Sequence, residues 1–141
     1  MILVVDTSVA LKWFFRACED EAHTDSALAI LAGIDTGRFQ MVQPPHFLAE
    51  VAAVLAREKP EDAQEDLLDL QRVEWRLIEE ATVYAAAVDL SIRLRRHLFD
   101  TLYHATALHT PGATLVTADQ HYYDRARGTG HIALLADFDA H

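Results

Sequence analysis

The sequence predicts an α/β fold in which a parallel sheet is covered by helices on both faces. Three observations carry this. Met1–Val5 and Thr114–Thr117 are short, unbroken runs rich in β-branched residues, the pattern of strands buried on both faces. Longer stretches between such runs space their apolar residues at helical intervals. Both runs end at an acid, Asp6 and Asp119, where a helix is about to begin. Open α/β sheets place their sites outside the carboxyl ends of their strands.

The elements follow in order. Strand Met1–Val5 leads to a helix over Ser8–Arg16, with Thr7 or Ser8 placed to cap it. Cys18–Glu21 is a polar break. Ala27, Ile30, Leu31 and Ile34 make one face of a second helix, and Gly33 and Gly37 mark its end. Phe39–Val42 is a second strand. Pro44-Pro45 feeds a helix over His46–Arg57. Pro60 opens an acidic helix reaching about Val73, so 46–73 reads as a helical hairpin inserted between strands. Arg76–Glu79 is a strand. Thr82–His97 is a helix with Tyr84, Ala87, Val88 and Ser91 on one side. Asp100–His109 is another, stopped by Pro111-Gly112. Strand Thr114–Thr117, a short helix Asp119–Arg127 and strand His131–Leu135 complete the chain. Strands alternating with helices call for right-handed parallel connections.

The 141 residues suffice for one domain, 1–141, with a real core. No repeat, linker or low-complexity tract interrupts it. With 51% hydrophobic and 24% charged residues the composition is globular. The single cysteine, Cys18, excludes an internal disulfide and suits a reducing compartment. The N-terminal apolar run has no preceding basic residue and is too short for a signal peptide, and no stretch is long enough to span a bilayer. A soluble, cytoplasmic protein is expected. The net charge of −10 argues by itself against nucleic acid. That argument weakens if several carboxylates are paired with a bound cation. The positive charge is uneven, with Arg93, Arg95 and Arg96 in one group and Arg125 and Arg127 in another.

Four acids stand where a carboxylate is uncomfortable. Asp6 and Asp119 end strands. Asp100 lies between Leu98-Phe99 and Leu102-Tyr103. Glu50 shares an apolar helix face with Phe47 and Val54. Each Asp precedes a helix, so each has an ordinary reading as an N-cap, worth about 1 kcal/mol. Capping leaves one oxygen free, so it does not exclude a second role. Glu50 has no such reading and must be paired, neutralised or coordinated.

Together the four fit one site at the strand ends. At ~4 Å each like-charged pair costs roughly 4 kcal/mol at an effective dielectric near 20. The cluster therefore needs protons or cations. All-oxygen ligands select a hard ion, Mg²⁺ or Mn²⁺. A thiolate site is excluded with only one cysteine, and the histidines show no HExxH spacing. Such a cation activates water and neutralises charge in phosphoryl transfer, with no nucleophilic side chain needed.

Val4-Val5-Asp6-Thr7-Ser8-Val9, Glu50 in its helix, Phe99-Asp100-Thr101-Leu102-Tyr103-His104-Ala105 and Leu115-Val116-Thr117-Ala118-Asp119 resemble the four acidic motifs of PIN-domain ribonucleases. By size and pattern the chain is most similar to the VapC-type toxins of bacterial toxin–antitoxin pairs. The resemblance covers nearly the whole chain. It implies a five-stranded parallel sheet of order 3-2-1-4-5 in a three-layer α/β/α PIN-like fold. It implies that Asp6, Glu50, Asp100 and Asp119 are a catalytic, metal-binding quartet. Ser8 or Thr7 would hold Asp6 or a metal-bound water, and Thr117 would steady Asp119. The activity implied is cleavage of single-stranded or loop RNA with Mg²⁺ or Mn²⁺, leaving a 5′-phosphate. The partners implied are RNA, a second copy of the chain, and a small antitoxin laying a helix along a groove built partly by 46–73. Some relatives carry a further acid soon after the fourth. Here Asp124 is available, though Gln120 and His121 stand nearer. Arg93, Arg95, Arg96, Arg125 and Arg127 become candidate contacts to the RNA backbone.

Receiver domains and haloacid dehalogenase-type phosphatases also place an Asp at a first strand end. They need a Lys near a later one, whereas Lys12 and Lys59 both lie in predicted helices. No glycine-rich run ends in Gly-Lys, so a P-loop is absent. A non-catalytic module whose acidic pocket binds a basic partner segment and a metal-dependent phosphohydrolase of another family are the remaining alternatives.

Overall fold

The computed structural model describes residues 1–16 and 22–141. The expected break at Cys18–Glu21 lies outside them. Strands β1 (Ile2–Val5), β2 (Gln40–Gln43), β3 (Arg76–Leu77), β4 (Ala113–Thr117) and β5 (Ile132–Leu134) form one sheet, all pairs parallel, in the order β3-β2-β1-β4-β5. This is the 3-2-1-4-5 order expected, and helices on both faces complete the α/β/α arrangement. The central strand is β1. Leu3, Val4 and Val5 have no exposed surface, which is why the run is apolar without alternation. β1 pairs with β4 along its whole length, from Ile2↔Ala113 to Val5↔Val116.

Helix α1 (Thr7–Ala10) is shorter than the expected Ser8–Arg16 and tightens into a 3-10 turn over Leu11–Trp13. The indole of Trp13 is committed to the Ala27 carbonyl at 2.9 Å, and Arg16 Nε donates to the Trp13 carbonyl at 2.7 Å, which ends the turn. The cap is Asp6, not Thr7 or Ser8. Helix α2 (Thr24–Asp35) runs through Gly33, which is not a terminator. The Phe39 ring lies 2.4 Å from where a Cβ at Gly33 would sit, so any side chain there must displace that ring. Gly37, at φ +81°, makes the turn that ends the helix.

Helices α3 (Phe47–Glu58) and α4 (Ala63–Gln71) form the expected hairpin. Lys59 joins it to the α1 end, donating to Asp66 Oδ2 at 2.8 Å and to the Phe14 carbonyl at 2.7 Å. Helix α5 (Ala81–Leu94) stops three residues before the expected His97, at Arg95 in the left-handed region (φ 54°). Its buried stripe is Val83, Ala87 and Leu90, while Val88, expected on one side with Ala87, is exposed. Helix α6 (Leu98–His109) consequently begins earlier than expected. His97 caps it through Nδ1, which accepts from Phe99 N at 3.1 Å. Asp100 is therefore in the first turn, not at the cap. The short helix α7 (Gln120–Ala126) follows β4.

Among the described residues, no helix is long and apolar enough to cross a membrane.

Candidate functional site

Asp6 extends β1 by one residue, its N–H donating to the Val116 carbonyl at 3.0 Å. Its Oδ2 then accepts from Ser8 N (3.0 Å) and Ser8 Oγ (2.5 Å), capping α1. Ser8 Oγ also accepts from Ala118 N at 3.0 Å and lies 3.5 Å from Thr117 Oγ1. One hydroxyl thus ties the end of β1 to the end of β4. On β4's side, Thr117 Oγ1 accepts from Asp119 N (3.1 Å), and Asp119 Oδ1 caps α7 by accepting from Tyr122 N (3.0 Å). The expected roles of Ser8 toward Asp6 and of Thr117 toward Asp119 therefore have geometric counterparts.

Thr7 turns the other way. Its Oγ1 donates to Glu50 Oε1 (3.2 Å) and lies 2.5 Å from the Tyr103 hydroxyl. Tyr103 donates to the same Glu50 oxygen at 2.7 Å, and His46 Nε2 is 3.2 Å from it. That nitrogen also lies 2.8 Å from the Phe99 carbonyl. Since both neighbours accept, the proton belongs on Nε2. Among the described residues His46 Nδ1 is a buried polar atom with no partner. Burial pushes Glu50 up, but the hydrogen bonds of His46, Tyr103 and Thr7 outweigh it, and its pKa lies below the usual glutamate range. Burial, then the Glu50 charge, pushes the Tyr103 ionisation up, so the phenol remains a donor.

Asp6 and Asp100 are held less comfortably. Burial raises Asp6 to about 6 against the pull of Ser8, with Asp100 and Glu50 adding repulsion. Asp100 is also raised, by burial and by Asp119 and Glu50, although Arg96 opposes this. Arg96 Nη2 donates to Asp119 Oδ2 at 3.0 Å and lies 3.3 Å from Asp100 Oδ2. Mutual repulsion among the four acids is the electrostatic mark of one shared site.

The other candidates lie elsewhere. Arg93 pairs with Asp89 on the exposed side of α5 (2.9 Å). Arg125 Nη1 donates to the carbonyls of Leu94 (2.8 Å) and Arg95 (3.4 Å), closing the C-terminus of α5. Arg95 and Arg127 are exposed. Asp124 is exposed on α7 and accepts from Gln120 Nε2 at 2.8 Å, outside the carboxylate group.

Tyr103 and His46 were not singled out from the sequence. Their spacings were legible, since Tyr103 is three residues after Asp100 and His46 four before Glu50, each on a shared helix face. His104, also in that motif, is fully buried. Its ring nitrogens meet Tyr122 OH (3.0 Å) and the Gly130 carbonyl (2.8 Å), holding α7 against α6. Burial lowers its pKa.

Among the described residues, no three His, Cys, Asp or Glu side chains are grouped closely enough to hold a metal as they stand. The donor set nevertheless suits a hard cation, being all carboxylate oxygen. A cation already bridges two of its members, in the form of the Arg96 guanidinium.

Residues 3–128 match the PIN domain family. The chain belongs to that family. PIN domains are generally nucleases, and they generally use divalent cations. Among solved structures, VapBC2 from Rickettsia felis bound to a DNA fragment from their promoter is similar, with a TM-score of 0.65 and 18% identity over 99% of this chain and 100% of that one. This likeness is one of fold. Comparison with curated protein sequences finds no significant match. The four acidic segments quoted from the sequence fall at the C-terminal ends of β1 and β4 and on α3 and α6.

Proposed function

We propose that this PIN domain is a Mg²⁺- or Mn²⁺-dependent endoribonuclease and the toxin of a VapBC-type pair, acting in the cytoplasm on translation and growth. The observation that carries the nuclease reading is the electrostatic coupling of Asp6, Glu50, Asp100 and Asp119 at one edge of the sheet.

Asp6, Asp100 and Asp119, with Glu50, would hold the cation. When bound, it supplies an activated water and neutralises charge developing on the phosphate. The chain's own contribution is positioning. Ser8 holds Asp6 and the β4 end in one register. Thr117 and the start of α7 fix Asp119. Thr7, Tyr103 and His46 keep Glu50 ionised at neutral pH and aim it from the far side. A carboxylate held this way is ready to ligate without first losing a proton. The product would be a 5′-phosphate end of single-stranded or loop RNA.

The toxin reading rests on the family and on the fold shared with VapBC2, a complex bound to promoter DNA. It is supported by a groove of about 710 Å³ between α2 and the end of α4, lined by Leu28, Leu31, Ala32, Asp69 and Arg72 among others. Such a groove, lined by both apolar and charged side chains, suits an amphipathic antitoxin helix. A homodimer of single-domain chains is part of the same reading.

The test is incubation of purified protein with single-stranded RNA, with and without Mg²⁺, beside Asp100→Asn. Cutting that needs Mg²⁺ and is lost in the variant is expected. Metal-independent cutting, or full activity in Asp100→Asn, overturns the reading. Tight binding of a basic partner without cleavage of any RNA would favour the interaction module instead.

A further inference from the structure

We propose that Arg96 exchanges partners during the reaction, neutralising Asp100 and Asp119 while they hold no cation and donating to the RNA phosphate once they do. This rests on the nuclease reading above, and deepens it by assigning the site its own phosphate-binding group.

The geometry favours exchange over a fixed structural pair. The backbone of Arg96 is clamped: its N–H donates to the Ser91 carbonyl (3.2 Å), and its carbonyl accepts from Ser91 Oγ (2.5 Å). Arg125 holds the carbonyls of the two residues before it. A rigid root with a partly exposed guanidinium leaves motion to the side-chain torsions alone. One guanidinium nitrogen, Nη2, meets both carboxylates, so the pairing is not the parallel two-bond fork that fixes an Arg firmly on one carboxylate. The guanidinium carbon also lies 5.7 Å from the centre of the Tyr122 ring. Tyr122 is itself held by His104 and by the Asp119 cap. The arginine thus has an aromatic neighbour in addition to the two carboxylates.

Charge then decides the exchange. A divalent cation would take the oxygens that Nη2 now uses and would repel the guanidinium at the same time. An RNA phosphate arriving beside that cation offers the displaced arginine a new anion within its reach. The other candidate cations are differently placed, since Arg93 is paired with Asp89 and Arg125 closes α5. In a chain of net charge −10, a polyanion needs such a group at the cleavage point.

Three measurements on the full chain test this, using the wild type, Arg96→Gln and Arg96→Lys. The first is Mn²⁺ affinity by calorimetry without RNA. Arg96→Gln should bind Mn²⁺ about tenfold more tightly, because its competitor is gone; equal or weaker binding overturns the counter-ion half. The second is RNA affinity, with Ca²⁺ replacing Mn²⁺ to slow cleavage. Arg96→Gln should bind about tenfold more weakly and lose about one unit of the slope of log affinity against log salt. Unchanged affinity and slope overturn the phosphate half, whether or not the wild type cuts. The third is single-turnover cleavage at saturating Mn²⁺. It should fall about 100-fold in Arg96→Gln and about tenfold in Arg96→Lys, which keeps charge and fold but lacks the planar donor fork. Wild-type rates in both variants overturn the proposal. If the wild type binds Mn²⁺ and never cuts, the nuclease reading fails, while the two affinity measurements still judge Arg96.

Discussion

The side chain of Gln43 takes the place of a neighbouring strand for Val5. Its Oε1 accepts from Val5 N and its Nε2 donates to the Val5 carbonyl, both at 2.8 Å and both buried. The β1–β2 register ends at Leu3↔Met41, while Val42 and Gln43 pair on with β3. Val5 would otherwise show an unpaired N–H and C=O to the core, one residue before Asp6. The amide satisfies both, as buried backbone requires. Gln43 is thus a brace for the strand that carries the first carboxylate.

Replacing Gln43 by Leu keeps the volume and removes both bonds. The expected loss is about 2–4 kcal/mol of stability, from two unsatisfied backbone groups. Gln43→Glu keeps one acceptor and should cost less at a pH where it is protonated. Chemical denaturation measures both. Because the brace adjoins Asp6, the Leu variant should also lose metal-dependent cleavage out of proportion to its folded fraction. A Gln43→Leu protein as stable as the wild type would deny the brace any importance.

The strand-end or helix-face positions of Asp6, Glu50 and Asp119 were legible because buried parallel strands and helix faces write themselves as apolar periodicity, whereas the strand order followed only from the resemblance to PIN-domain ribonucleases. Gln43 was not legible: one polar residue after Val42 looks like a loop, and its bond to Val5 spans 38 positions of sequence. The N-terminal edges of α1 and α6 were also misplaced. Asp6 rather than Thr7 or Ser8 caps α1, and His97 rather than Asp100 caps α6, since any of these side chains can accept from a helix N–H and only tertiary contacts choose. Arg96 was grouped with Arg93 and Arg95 by adjacency, yet the left-handed turn at Arg95 sends only Arg96 to the acids. Composition cannot foresee that turn.

The raised Asp6 makes the metal-free protein lose stability as pH rises. Below about 4, folded and unfolded chains both hold the proton, and the contribution is at its full favourable value. Between the unfolded value of 3.8 and the folded value of about 6, only the folded chain holds it, and stability falls. Asp100, raised chiefly by burial, acts in the same direction. Glu50 and His104, both lowered, act in reverse, so their contributions are lost as pH falls. The difference between wild type and Asp6→Asn isolates the Asp6 part. Asparagine retains the cap, so the variant should be more stable than wild type at neutral pH without metal, by roughly 2–3 kcal/mol. The gap should narrow on acidification below about 6 and close at about 4. Denaturation curves across pH measure it, and a gap independent of pH would contradict the assignment.

Asp119 offers a way to separate capping from ligation, the two roles the sequence left open. Its Oδ1 caps α7 at Tyr122 N, while its Oδ2 faces Arg96. Asp119→Asn keeps an acceptor for the cap, so its metal-free stability should lie within about 0.5 kcal/mol of wild type. Asp119→Ala should lose about 1 kcal/mol through the missing cap. Both should fail to show the rise in melting temperature that Mg²⁺ or Mn²⁺ gives the wild type, a rise equivalent to about 2.7 kcal/mol at a hundredfold excess over the dissociation constant. Thermal melts with and without metal separate the two roles, because only the cap should distinguish Asn from Ala, and only the ligand should distinguish wild type from both. If Asp119→Asn kept the metal-induced rise, Asp119 would be a cap alone, and the cation would have to be held by Asp6, Glu50 and Asp100 without it.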